Sequence, residues 1–74
     1  MSRLYHVEAI WDPEANVWVS ESDVPGLVIE AETLAEFESL IHDLVPEILA
    51  GNQGKDGRAC IELTSRRTFE LEDA

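Results

Sequence analysis

Four carboxylates, Asp12, Glu14, Glu21 and Asp23, lie close together in the chain and are the residues from which a divalent-metal nuclease centre would have to be built. Such a centre needs several carboxylate oxygens converging on the cation. These four fall at predicted strand ends and in turns, at spacings that do not bring them together, so a solvated acidic rim accounts for them. His6 and His42 belong to a strand and a helix, without the interval of a ligand pair. Ser20 and Ser22 lack the strand–turn–helix setting of an activated nucleophile. Cys60 has no evident base partner and reads as a small hydrophobe in a strand. No glycine-rich phosphate loop occurs. The expectation is a protein that is not an enzyme, with no catalytic residues, no metal and no cofactor.

Charge is the stronger signal. Five basic residues against sixteen acids give a formal net charge of −11, and between Leu4 and Gly54 eleven acids stand without a single Lys or Arg. Such a surface repels phosphate backbones, which argues against nucleic acid as a direct ligand. It attracts a basic protein and speeds the encounter by long-range steering. The bland alternative is an acidic coat that only confers solubility.

The 74 residues make a single domain with a marginal core, since a chain of this size buries only roughly 60% of its unfolded surface. Cys60 is the sole cysteine, so no disulfide can form within one chain. Association with a second copy is the expected source of extra stability. The opening "MSRLYHVEAIW" has no basic segment followed by a long apolar run. Nothing approaches the roughly 20 apolar residues that cross a bilayer. A cytoplasmic, soluble protein is expected.

The elements that must position these groups are organised around residues 17 to 49. Leu34, Phe37, Leu40, Ile41, Leu44, Val45, Ile48 and Leu49 form a helical stripe, while the opposite side carries Glu36, Glu38, Asp43 and Glu47. Thr33 and Glu36 make a capping box at its start. Pro46 lies deep in the pattern and predicts a kink after His42, and Gly51 predicts the stop. Residues 4 to 11 read as a strand with Tyr5, Val7, Ala9 and Trp11 on its core face. After "DPEAN", in which Asn16 tolerates a left-handed backbone, residues 17 to 21 return as its hairpin partner. Pro25 and Gly26 suit a type II turn, and residues 27 to 31 follow as a third strand. A polar loop at 51 to 58 leads to a fourth strand at 59 to 65 with Ala59, Ile61 and Leu63 inward, and the tail offers to carry it on through Phe69 and Leu71.

The expected fold is α+β: a single antiparallel sheet with one helix packed on one face, in the order βββαβ. No second layer is available for the other face. That bare face or its edge, bearing Trp18, Ile10 and His6, is the expected partner surface.

The stretch "AIWDPEANVWVSESDVPGLVIEAETLAEFESLIHDLVPEIL" resembles the HicB-like antitoxin superfamily. It is most similar to a short branch of unknown function with the pattern W-D-x-E, V-W-V, S-D-x-P-G-L, E-A-x-T and V-P-E-L-L. Trp11, Asp12, Glu14, Val17, Trp18, Val19, Ser22, Asp23, Pro25, Gly26, Leu27, Glu30, Ala31, Thr33, Leu34, Pro46, Glu47 and Leu49 carry the match. The resemblance implies a partial ribonuclease-H-like βββαβ fold, in which Pro25 and Gly26 carry over as a structural turn. It also implies an antitoxin role: full-length HicB antitoxins neutralise HicA, a small basic mRNA interferase. Those proteins carry a DNA-binding segment after this fold. Here one strand and an acidic tail follow Ala59, so a single domain spanning 1–74, with no autorepression by this chain alone, is expected.

The functional expectation is therefore an acidic antitoxin-like protein that binds and neutralises a small basic HicA-like toxin. Glu36, Glu38, Asp43 and Glu47 would take the place of phosphates, and Trp18 would be an apolar anchor. The alternative is an orphan homodimeric structural or regulatory adaptor without a toxin. A metal-dependent nuclease ranks behind both.

Overall fold

The computed structural model describes residues 3–53 and 59–72. Strand β1 (Arg3–Asp12) is followed by β2 (Val17–Ser22), β3 (Glu30–Ala31), the helix α1 (Leu34–Gln53) and β4 (Ala59–Arg66). The four strands form one sheet in the order β3-β2-β1-β4.

The α+β class and the βββαβ order agree with the sequence expectation, and β1, β2 and β3 form the expected antiparallel meander. The wholly antiparallel sheet does not hold. β4 pairs parallel with β1, Leu4 opposite Cys60 and Val7 opposite Leu63, so the sheet is mixed. The reason is a matter of direction. β3 runs with β1, because both are antiparallel to β2. The single helix reverses the chain once more, and β4 emerges running the same way as β1.

Local chemistry sets the corners. The Asp12 carboxylate accepts from the backbone N–H of Glu14 at 3.1 Å and of Ala15 at 3.4 Å, and its carbonyl accepts from Asn16 N–H at 2.8 Å. Asn16 takes the left-handed conformation at φ 58°. Leu27 N–H reaches the Val24 carbonyl at 3.2 Å around Pro25 and Gly26, and Gly26 has φ 78°, as the second central position of a type II turn requires. The third strand is only Glu30–Ala31. Residues 23 to 29 are instead held by serines: Ser22 Oγ donates to the His6 carbonyl (2.8 Å) and accepts from Val24 N–H (2.9 Å), and Ser20 Oγ accepts from Ile29 N–H (2.9 Å). Val24, Leu27 and Ile29 are thereby buried.

At the start of α1, Thr33 Oγ1 accepts from Glu36 N–H at 3.0 Å, while Glu36 Oε1 accepts from Glu32 N–H at 3.1 Å. This is a capping box displaced by one residue on its return bond. The helix is continuous through Pro46 and runs to Gln53, so Gly51 is not its end. Pro46 is exposed, where water can take up the His42 carbonyl that the proline ring leaves without an intrahelical donor. Of the polar loop expected at 51 to 58, residues 54–58 lie outside the described residues. The tail does not continue as strand: residues 67–72 are irregular and exposed.

The core lies between α1 and the sheet. Tyr5, Val7, Ala9, Trp18, Val24, Leu27, Ile29 and Ala31 meet Phe37, Ile41, Val45 and Leu49, with Phe37 fully buried. Every fourth residue of α1 from Phe37 to Leu49 thus points at the sheet, the stripe that helical periodicity predicts.

Candidate partner-binding surface

The register decides what each face of the sheet carries. Trp11 stands opposite Trp18, Ala9 opposite Ser20 and Val7 opposite Ser22. Side chains directly opposite in a pair share a face. Tyr5, Val7, Ala9, Trp11 and Trp18 therefore all look toward α1, as do Ile61 and Leu63 of β4. Their alternates form the uncovered face: Leu4, His6, Glu8 and Ile10 on β1, Val17, Val19 and Glu21 on β2, Cys60, Glu62, Thr64 and Arg66 on β4.

This places Trp18 on the side opposite to the one expected. It is 8% exposed, and its ring meets that of Trp11 edge to face at 5.3 Å. Trp18 belongs to the core, and its placement on the bare face is corrected. The cause is the hairpin: with Asp12 opposite Val17, each odd position of β1 meets an even position of β2. Ile10 and His6 lie where they were expected, on the bare face.

The bare face is acidic at its centre. Glu8 and Glu21 stand directly opposite each other. Arg66 Nε approaches Glu8 at 3.8 Å, a loose contact between a largely solvated guanidinium and a half-buried carboxylate. His6 Nδ1 lies 2.7 Å from Glu62 Oε1 across the parallel pair, both side chains more than half exposed. His6, Glu8, Glu21, Asp23, Glu62 and Thr64 border a shallow hollow of about 410 Å³. Asp23 is tied into the backbone, its Oδ1 accepting from His6 N–H at 2.9 Å. Leu4 at 55% exposure, with Ile10, Val17 and Val19, gives this face apolar flanks.

The helix acids are all exposed but not all together. Glu36, Asp43 and Glu47 fall on one outward stripe, since steps of seven and four return to the same side of a helix. Glu38 lies apart, 3.6 Å from His42 Nε2 on the rim of a groove between α1 and β4. That groove has a volume of about 540 Å³ and is floored by Ile41, Val45, Ala59, Ile61 and Leu63. It continues into a second hollow of about 240 Å³ that also touches Glu38 and Leu63.

Asp12, Glu14, Glu21 and Asp23 do not converge. Asp12 and Asp23 are occupied by backbone donors, and Glu21 faces Glu8. Among the described residues no group of three or more His, Cys, Asp or Glu side chains could hold a metal ion. Cys60 is exposed on the bare face rather than packed. Glu8 and Glu62, which together with His6 and Glu21 make the acidic centre, are not among the residues that the sequence singles out. The alternation of β1 marks His6 and Glu8 as outward, but Glu62 joins them only through the parallel register.

A family model described as a domain of unknown function (DUF1902) matches residues 4–69. Among solved structures, the hypothetical protein TTHA1013 from the extremely thermophilic bacterium Thermus thermophilus is similar, at 43% identity and a TM-score of 0.70. The match covers 96% of this chain and 100% of that one. No curated protein matches. None of the helices among the described residues is long and apolar enough to cross a membrane.

Proposed function

The chain belongs to the DUF1902 family of domains of unknown function, and from that footing we propose that it is an antitoxin-like inhibitor of a small basic ribonuclease of the HicA type. The observation that carries the reading is the uncovered sheet face. Glu8, Glu21 and Glu62 are collected there between apolar flanks, and the chain's own cations offset them only through Arg66 among the described residues. A basic protein laid on that face gains several charge-assisted contacts at once. Its lysines and arginines relieve the repulsion between Glu8 and Glu21. Glu36, Asp43 and Glu47 on the far layer add to the field that steers it in. The likeness of the W-D-x-E, S-D-x-P-G-L and V-P-E patterns to HicB-like antitoxins supports the same reading.

The test begins with the reading frame next to this gene in the host, where a short basic histidine-containing protein is expected. Purified, that protein should cleave RNA, lose the activity when this chain is added in equal amount at low salt, and regain it at high salt. Cleavage that continues unchanged at low salt would sink the proposal. A second reading, a homodimeric structural or regulatory adaptor without a toxin, is favoured by two features of the described residues: Phe69 and Leu71 stand 67% and 86% exposed, and an apolar groove runs between α1 and β4.

A further inference from the structure

We infer that two copies of this chain associate through the outer edge of β4, each sending its tail into the groove between α1 and β4 of the other. The inference goes beyond the inhibitor reading and stands or falls without it.

Three observations lead there. β4 is an edge strand eight residues long, with no neighbour on its outer side among the described residues; such an edge presents a row of backbone donors and acceptors ready to pair. Beside that edge lies the open groove, with the half-buried Ala59, Ile61 and Leu63 on its floor. Past the end of β4 come two large apolar side chains, Phe69 and Leu71, which are 67% and 86% exposed among the described residues.

Alternation links these facts. Ala59, Ile61 and Leu63 look toward the helix layer, and in a tail drawn out as strand by pairing with a second copy Arg67, Phe69 and Leu71 take the same parity. The Arg67 guanidinium lies 4.4 Å from the Trp11 ring centroid, so the tail leaves β4 in step with β1 on the helix side. Beyond that point β1 has ended at Asp12, and among the described residues the tail is left exposed, with Phe69 meeting the Arg67 guanidinium at 5.7 Å.

A second β4 placed antiparallel along the first solves both problems when the two-fold axis passes at Ser65. Phe69 of one copy then stands opposite Ile61 of the other, and Leu71 opposite Ala59, both directed into the groove. Arg67 stands opposite Leu63 of the second copy, next to the Glu38 that lines both hollows of the groove. Moving the axis to Arg66 would set that arginine against its own copy. An axis at Thr64 would carry Leu71 past Ala59, off the end of the strand. Shifting by half a step turns the apolar residues out to the other face. Charge agrees with this arrangement: the span from Leu4 to Gly54 has no Lys or Arg, whereas Arg66 and Arg67 both sit in the exchanged segment. They approach Glu62 and Glu38 of the second copy.

Sedimentation of the full chain tests the assembly. The wild type should sediment at twice the 8.3 kDa chain mass, and F69D/L71D at the single mass with an unchanged far-UV circular dichroism spectrum, because neither residue belongs to the core. Glu70 would lie opposite Cys60 of the second copy, so E70C should give a disulfide-linked dimer on mild oxidation, and T68C, displaced along the strand, should not. A wild type that sediments as a single chain overturns the inference, as does a dimer that survives F69D/L71D. Cross-linking of T68C as efficient as that of E70C overturns the register.

Discussion

Glu8 and Glu21 face each other across the β1–β2 ladder on the side of the sheet that α1 leaves open. Like charges directly opposite in a strand pair are destabilising, by an amount within roughly 0.2–1 kcal/mol. Glu21→Gln should therefore stabilise the isolated chain by a few tenths of a kcal/mol, read as a higher urea midpoint. The same substitution should weaken capture of a basic partner. A lower midpoint together with unchanged partner affinity would remove this face from the proposed interface.

Trp18→Ala separates a core residue from an interface anchor. With Trp18 at 8% exposure against Trp11 and the helix layer, truncation should cost about 3–5 kcal/mol of folding stability. In a domain of this size that is most of the total. Thermal unfolding followed by circular dichroism should show a broad, early transition or none. A variant as stable as wild type would contradict the packing described above.

Gly26 needs its backbone conformation, not its lack of bulk. At φ 78° nothing lies within 4 Å of the position a Cβ would take. Gly26→Ala should therefore cost only the left-handed strain, on the order of 1 kcal/mol. Denaturant titration should shift the midpoint without altering the slope.

Pro46 is exposed within a continuous helix, and it deprives that helix of one hydrogen bond, to the His42 carbonyl. Pro46→Ala restores the donor and should stabilise the chain by up to about 3 kcal/mol. Differential scanning calorimetry would record the change as a raised Tm. A lowered Tm would mean that the proline ring contributes more as part of the groove rim than the missing bond costs.

Thr33→Ala removes the hydroxyl that accepts from Glu36 N–H at 3.0 Å. The loss should be about 1 kcal/mol. Hydrogen exchange should rise first in the opening turn of α1, at Glu36 and its neighbours.

How far the sequence leads depends on whether each feature is local. The helical stripe, the Thr33 cap, the left-handed Asn16 and the turn at Pro25–Gly26 are decided by residues within one or two turns of each other, and each is readable from type and spacing. The helix end is not, since Gly51 permits a stop without enforcing one. Leu27, Val28 and Ile29 read as strand by their composition. In the fold Ser20 takes up the backbone of this segment at Ile29, its Oγ accepting from Ile29 N–H and its N–H donating to the Ile29 carbonyl, and only Glu30 and Ala31 remain in the ladder.

What the residues settled by themselves is a βββαβ chain of strong negative charge, with one apolar helix face and one sheet for it to cover. Which way β4 runs, which side Trp18 takes and which acids become neighbours were decided only when strands distant in sequence came into register. The reason is parity. Alternation tells which residues share a face within one strand, but only the turn joining two strands, or the crossover between them, fixes how one strand's alternation maps onto the next. The Asp12–Val17 pairing sent Trp18 under the helix, and the parallel path of β4 brought Glu62 to His6.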